Sequence, residues 1–225
     1  MRLSTSALAA FVVLCWGRAH AETVQLEPYW SQAPGVLVAP MEIDGHVARL
    51  LFDTGAGQTT LTPSFGQTLG CSPHGSISAF RMRGDRIEMK KCGQRRLRIG
   101  AHTIEREVAS FDLRSLLPAE APPLDGITGL DALEGSLVTL DLANRIIRLG
   151  ERPGHGWREG VVRFEREAGG AGLTAFVSVD TPTGALWMLL PAVIPHFYPV
   201  LLQRSILLRL QPLLDNAAAR RPIAD

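Results

Sequence analysis

The sequence predicts an all-β fold, and three observations support this prediction. Between Gly35 and Gly150 the chain consists of short runs of alternating apolar and polar residues, broken by turn residues. Turn dipeptides such as Asp44-Gly45, a strong hairpin signal, separate these runs into pairs. The region contains no long stretch with the periodicity of an amphipathic helix. We therefore expect β-hairpins throughout, with one short helix at Leu130–Leu133.

The N-terminal residues have the features of an export signal. Arg2 provides a positive start, residues 7–16 form an apolar stretch, and residues 19–21 form a small-x-small cleavage site. The apolar stretch is much shorter than the about 20 residues that span a bilayer. We therefore expect a signal peptide at residues 1–21, no further transmembrane segment, and an exported protein that is periplasmic or secreted.

Charge and cysteine content narrow the possible partners. The formal net charge is +1, so no strong overall field favours nucleic acid or an anionic membrane. Of the three cysteines, Cys71 and Cys92 remain once the signal is removed. Such a pair suggests a disulfide in an oxidising compartment, and two free thiols are the alternative. Two cysteines without a histidine pattern make a poor zinc site, and we expect no metal and no cofactor.

Further hairpins follow the first one along the chain. Residues 77–90 predict a hairpin with Arg83, Gly84 and Asp85 at its tip. Two more strands turn around residues 100–102, and another two flank Ala143-Asn144. The predicted strands thus continue up to residue 149.

The tip hairpin and the strand after it are strongly basic. Between Arg81 and Arg98 there are eight Arg or Lys residues against two acidic ones. Such a run on hairpin strands is usually a solvated face. The alternative is a basic surface that favours acidic peptides or an anionic surface.

The C-terminal third is organised differently. Residues 153–172 are rich in glycine and charge, which predicts a linker. The strands at 173–190 then repeat the plan of the strands before residue 53, with Pro191 in the place of an aspartate. Chance similarity between two hairpins is the alternative. The Pro-rich apolar tail at 191–225 has no readable role; its prolines argue against a membrane span, and we expect a helix at about 201–214.

Two motifs carry the chemistry. In "LLFDTGAG" at 50–57, an apolar run leads directly into Asp53 and a glycine turn. In "DGITGLDAL" at 125–133, two β-branched residues and a glycine lead into the predicted short helix. An ordinary surface turn needs no apolar entry, so the first motif suggests a carboxylate held in a cleft. The alternative is an aspartate that caps an ordinary turn.

Together with the hairpin between them, these motifs resemble the retropepsin-like aspartic proteases, in particular exported bacterial members. The resemblance covers roughly residues 35–149 and implies a protease domain at 22–152. It implies a closed β-barrel of six to seven strands with a flap hairpin and one short helix, followed here by a partial second β unit. The implied function is aspartic endopeptidase, with a peptide or protein as substrate and no cofactor.

The resemblance also implies a role for each residue of the motifs. Asp53 is the catalytic residue, and its carboxylate activates a water. The loop around it is supported by its neighbours and by the second motif, and the flap closes over the peptide. The implied loop support is Thr54 and Gly55, the implied structural support Ile127, Thr128 and Gly129, and the implied flap tip Arg83, Gly84 and Asp85.

One chain supplies only one aspartate in this setting. Asp125, Asp131 and Asp141 each have an ordinary interpretation, as a turn former, a helix residue or a strand-edge charge, and Asp180 belongs to a turn. A homodimer with a two-fold axis through the paired aspartates is therefore the leading hypothesis. The alternative is a catalytically inactive domain, with an incomplete second lobe, that binds a peptide or a protein.

Overall fold

The computed structural model describes residues 22–80, 84–150, 162–166, 170–190 and, for the backbone alone, 206–209. The predicted signal peptide, Arg83 and most of the C-terminal tail lie outside these residues. None of the described helices has the length and apolar character needed to cross a membrane.

The described residues form fifteen strands, one α-helix and two 3-10 helices, which confirms the prediction of an all-β fold. The first elements are β1 (Glu22–Gln25), β2 (Glu27–Trp30), β3 (Ala33–Ile43), β4 (His46–Phe52), β5 (Thr60–Leu61), α1 (Pro63–Thr68), β6 (His74–Phe80), β7 (Arg86–Ile99) and β8 (His102–Ser110). The remaining elements are a first 3-10 helix (Leu113–Leu116), β9 (Gly126–Thr128), a second 3-10 helix (Leu130–Leu133), β10 (Leu137–Asp141), β11 (Ile146–Leu149), β12 (Val162–Arg166), β13 (Leu173–Thr181), β14 (Gly184–Leu189) and β15 (Ile206–Arg209).

The largest sheet contains eight strands, in the order β2-β3-β4-β9-β5-β8-β7-β6, rather than the six or seven expected. A further antiparallel pairing joins β3 to β7, with Glu42 opposite Arg98 and Ile43 opposite Leu97. Since β3 and β7 lie far apart in the strand order, this pairing rolls the sheet over on itself. The rolled sheet encloses the main core, which includes the fully buried Phe52, Leu61 and Leu130.

The hairpins form at the predicted turns. Asp44 and Gly45 both have positive φ angles, 49° and 85°, so β3 and β4 are joined by a tight two-residue turn. The Asp44 carboxylate also accepts a hydrogen bond from the Arg96 N–H, at 2.9 Å. This contact ties the turn to β7.

The helices of the region before Gly150 differ from the one short helix predicted there. Leu130–Leu133 is indeed a short helix, of the 3-10 type, but the α-helix of the described chain is α1, which the sequence analysis missed. Thr62 caps α1 by accepting a hydrogen bond from the Phe65 N–H, and Pro63 occupies the first helical position. A Thr-Pro start of this kind is a helix signal, but a six-residue helix shows too little periodicity to detect.

The structure contradicts part of two predictions for the C-terminal third, the linker at 153–172 and the helix at about 201–214. Val162–Arg166 forms β12, inside the segment predicted to be a linker. Its apolar residues alternate with charged ones as in a strand, and the glycines on either side obscured this pattern. Ile206–Arg209, inside the helix expected at 201–214, is a strand that pairs with β10 in the sheet β1-β11-β10-β15. Free edge groups on β10 favour strand pairing over a helix here.

The basic residues of β7 are largely neutralised by acidic residues on neighbouring strands. Arg95 pairs with Asp44, Arg98 with Glu42, and Lys91 with Glu107. The charges therefore form cross-strand pairs on the sheet surface, in agreement with the interpretation as a solvated face.

Cys71 and Cys92 are joined by a disulfide, with their Cα atoms 5.4 Å apart. Cys71 precedes β6 and Cys92 lies within β7, so the bond closes the base of the β6–β7 hairpin. Gly66 of α1 lies against both sulfur atoms, because a Cβ placed there would be 3.7 Å from each. The disulfide thus holds the hairpin base beside α1.

Removing this bond should destabilise the domain. We expect replacement of Cys71 and Cys92 by alanine to lower the free energy of unfolding by about 3 kcal/mol, because the unfolded chain regains the freedom of the open loop. Guanidinium denaturation measures this loss. Reduction of the unaltered protein is the matched control and should give the same midpoint as the double variant; an unaltered protein insensitive to reductant would contradict the prediction.

Candidate active site

The structure places Asp53 directly after β4, a strand of the large sheet with Ala48, Leu50 and Phe52 buried on one face. β4 pairs in parallel with β9, with Phe52 opposite Thr128. The Asp53 N–H continues this pairing by donating to the Thr128 carbonyl, at 2.9 Å. Phe52 is almost fully buried, whereas Asp53 is only partly buried. The chain therefore leaves the core at Asp53 and presents its carboxylate at the sheet end.

The turn after Asp53 folds back onto its carboxylate. The Gly55 N–H donates to Asp53 Oδ1 at 2.8 Å, and the Ala56 N–H donates to the Asp53 carbonyl at 3.0 Å. Burial raises the pKa of the Asp53 carboxyl, and the N–H groups of Gly55 and Ala56 partly oppose this rise. The carboxyl is thus held in one orientation and retains its proton to a higher pH than an exposed aspartate does.

The second motif packs closely against this turn. A Cβ at Gly129 would lie 1.9 Å from the Ala56 carbonyl oxygen, and one at Gly126 would lie 2.2 Å from the Thr60 carbonyl oxygen. Both distances are far inside van der Waals contact, so only glycine fits at these two positions. Ile127, Thr128 and Gly129 therefore lie directly against the loop that carries Asp53.

Thr54 lies on the other side of the loop and is buried. Its hydroxyl lies 3.5 Å from the Leu190 carbonyl oxygen, at the long end of hydrogen-bond distance, and is oriented to donate to it. Leu190 directly follows β14, so this contact joins the Asp53 loop to the C-terminal strands of the same chain.

Comparison with known protein families identifies this region. A sequence model of the aspartyl protease family matches residues 39–132, from β3 to the second 3-10 helix. This aspartyl protease family is part of the retropepsin-like clan, and the match covers residues 39–132 of the chain. No curated protein was found to match the chain. The family supports a protease-like, hydrolytic function for the domain.

The matched region also contains a fully buried carboxyl, Asp131, which the sequence analysis treated as an ordinary helix residue. Asp131 Oδ2 accepts from the Thr59 N–H at 2.7 Å, and Oδ1 accepts from the Thr59 hydroxyl at 3.0 Å. The Thr59 hydroxyl lies 3.2 Å from that of Thr128. Asp131 thereby fixes the far end of the Asp53 loop to the second motif. An acidic residue within the otherwise apolar "LDAL" was the available signal.

The burial of Asp131 has a strong electrostatic consequence. Its side chain is fully removed from water, which raises the pKa of its carboxyl to about 6 despite the donors around it. The N–H groups of Thr59, Gly129 and Ala132 and the Thr59 hydroxyl act in the opposite direction. At a pH between 3.8 and about 6, the folded protein therefore keeps a proton on Asp131 that the unfolded chain has released.

The predicted flap tip lies in the turn between β6 and β7. Gly84 has a φ of 84° and, with Asp85, precedes β7; Arg83 lies outside the described residues. Below the tip, the exposed Glu88 accepts from Ser76 at 2.6 Å and from Ser78 at 2.7 Å. These two hydroxyls and Arg86 lower the pKa of Glu88 to about 2. Strands β6 and β7 are thus joined by side chains as well as by backbone.

In the part of the chain that the structure describes, no group of three or more His, Cys, Asp and Glu side chains is arranged to hold a metal ion. Asp125 and Asp141 each have other partners. Asp125 accepts from the Arg49 N–H at 2.8 Å, and Asp141 binds Asn144 in the β10–β11 turn, at 2.9 Å from its side-chain nitrogen. Asp125 lies just before β9, and Asp141 is the last residue of β10, where a strand-edge charge was expected.

The raised pKa of Asp131 predicts a specific dependence of stability on pH. An acid whose pKa is higher in the folded state stabilises the fold fully below its unfolded value, 3.8, and loses this contribution as the pH rises through about 6. Between these values the free energy of unfolding should fall by about 1.4 kcal/mol per pH unit relative to that of Asp131→Asn. Urea denaturation of both proteins from pH 4 to pH 7 measures the difference.

Asp180→Asn is the matched control, because it removes an exposed carboxylate. The free energy of unfolding of this control should change with pH in the same way as that of the unaltered protein. A difference in the free energy of unfolding between the unaltered protein and Asp131→Asn that stays constant from pH 4 to pH 7 would contradict the prediction. It would show that the pKa of Asp131 is not raised.

Proposed function

We propose that this protein is an aspartic-type endopeptidase in which Asp53 is one of two carboxylates that activate a water. The observation that carries the proposal is the setting of Asp53: a partly buried carboxyl that follows the buried Phe52 at the end of β4 and is oriented by the Gly55 N–H. Its raised pKa suits a group that exchanges protons during a reaction. The family match over residues 39–132 supports the same chemistry.

The proposed reaction needs two carboxyls that share one proton. Two like charges in close proximity do not both ionise, so the pair titrates as a unit. The ionised carboxyl removes a proton from the water as its oxygen attacks the peptide carbonyl, and the protonated carboxyl donates to the carbonyl oxygen. Collapse of the intermediate breaks the C–N bond: the nitrogen takes up the proton that the first carboxyl removed from the water, and a hydroxyl of the intermediate returns a proton to the second carboxylate. The water is the nucleophile and no cofactor takes part.

The other predicted residues have supporting roles in this proposal. Ile127, Thr128 and Gly129 hold the Asp53 loop from below, and Thr54 anchors it from the side. The β6–β7 hairpin, with its tip around Gly84, would cover the bound peptide and exclude water. The disulfide at its base supports a location in an oxidising compartment, in agreement with the predicted export.

The second carboxylate is proposed to come from a second copy of the chain. In a two-fold symmetric dimer, each copy presents the same loop, so two Asp53 side chains meet at the axis. The rate per chain would then rise with protein concentration.

The second candidate function is an inactive domain that binds a peptide or a protein. One observation favours it: the contact between Thr54 and Leu190, which places the chain's own C-terminal strands beside the Asp53 loop. The residue after Leu190 is Pro191, which cannot act as an acid or a base. The same cleft would then bind a peptide without cleaving it.

Cleavage of a mixed peptide library by residues 22–225, between acid and neutral pH, tests the proposal. We expect Asp53→Asn to lower the rate by about 100-fold or more, because it removes a group that transfers a proton. Glu120→Gln, which alters an exposed loop carboxylate, is the control and should cleave like the unaltered protein.

The same assay over a range of protein concentrations tests the dimer, since a constant rate per chain argues against a second copy. Equal cleavage by Asp53→Asn and the unaltered protein would contradict the peptidase. Peptide binding without cleavage at any concentration would favour the binding domain.

A further inference from the structure

The three-stranded sheet β12-β13-β14 repeats the strands β2-β3-β4 of the protease domain. The strand order is the same, and both hairpins have turns of two residues. The pairing register is also the same, because each residue of the second hairpin corresponds to the one 138 positions before it. The corresponding pairs are Phe176–Leu189 with Val38–Leu51 and Thr181–Gly184 with Ile43–His46.

The pairing register shows which residues of the unit β12-β13-β14 correspond to those around Asp53. Leu190 corresponds to Phe52, the residue that precedes Asp53. The second hairpin therefore reaches the Asp53 loop in the way that β4 does, but the next residue in the sequence is Pro191 instead of an aspartate.

Both ends of the second hairpin contact the Asp53 loop. At its start, the Leu173 N–H donates to the Gly57 carbonyl at 2.6 Å. At its end, the Leu190 carbonyl lies 3.5 Å from the Thr54 hydroxyl. The Leu190 N–H donates to the Ala175 carbonyl at 2.7 Å, which joins the two ends to each other.

The second unit is also part of the domain core. Leu173, Ala175 and Leu190 are buried in the same apolar cluster as Phe52. In addition, the buried Glu134 carboxylate, at the end of the second 3-10 helix, pairs with Arg166 of β12 and with Arg106 of β8. Separating the unit from the domain would expose apolar surface and leave a buried carboxylate without one of its partners.

We propose that the unit β12-β13-β14 occupies, within one chain, the face of the Asp53 loop through which a second copy would complete the site. Hairpin docking and two-fold self-association at this face then exclude each other. The reason is steric: a symmetric partner has to place its own loop against Thr54 and Gly57, where Leu190 and Leu173 already lie. This inference refines the proposed function, on which it rests for the identity of the site: the docked single chain is the resting form, and the two-fold dimer forms only where the unit β12-β13-β14 has left the Asp53 loop.

The first experiment uses the unaltered protein. Sedimentation equilibrium gives the mass, and hydrogen exchange is measured at residues 53–59 and at the Leu173 amide, over a range of protein concentrations. We expect the mass of one chain, with protection of the loop and of Leu173 that does not depend on concentration. A dimer in which loop protection rises with concentration while Leu173 stays protected would overturn the proposal.

The second experiment separates the hairpin from the loop. Ala175→Asp places a charge in the buried face of β13, and we expect exchange at residues 53–59 to become at least about tenfold faster. Ser178→Asp, on the opposite face of the same strand, is the matched control and should exchange like the unaltered protein. Exchange at β7 and β8 reports whether the rest of the domain remains folded.

Leu190→Ala is the milder variant for the case in which Ala175→Asp does not fold. Faster exchange in the hairpin without any change at residues 53–59 would contradict the proposal. Neither experiment measures peptide cleavage, so the proposed peptidase activity and this docking can fail separately.

Discussion

The structure around the candidate site depends on the close packing of two backbone segments. Gly129 lies so close to the Ala56 carbonyl that no side chain fits between them, and Asp131 then receives both donors of Thr59. The two ends of the Asp53 loop are thereby fixed, one by the Thr128 carbonyl and the other by Asp131. The orientation of the catalytic candidate is set by these contacts, which are made by residues that do not react.

Asp53 and Asp131 illustrate how the environment of a carboxyl separates its role from that of another. Burial raises the pKa of both Asp53 and Asp131. Asp131 is enclosed, and its oxygens are occupied by protein donors, so it acts as a structural acceptor. Asp53 is only partly buried, and its carboxylate accepts a hydrogen bond from the Gly55 N–H. Accessibility, more than the direction of the pKa shift, distinguishes the candidate catalyst from its support.

Much of the fold could be predicted from the sequence because its signals are local. Alternation and turn dipeptides located the hairpins at Asp44-Gly45 and around residue 100. The role of Asp131 could not be predicted in the same way, because its partner Thr59 is 72 residues away. The docking of Leu190 on Thr54 is likewise a contact between distant residues, and β12 was hidden by its glycine-rich surroundings. What the sequence analysis missed therefore depends on tertiary contacts or on very short elements.

The separation between these partners has a consequence for how the protein folds. Thr59 and Asp131 are 72 residues apart, and Thr54 and Leu190 are 136 residues apart. Contacts between residues so far apart in sequence form slowly, because a long loop has to close before the contact stabilises the fold. During synthesis, the Asp53 loop gains its supports only after most of the domain has been made. The site is therefore among the last parts of the chain to be assembled, and until then its apolar strands need protection from aggregation.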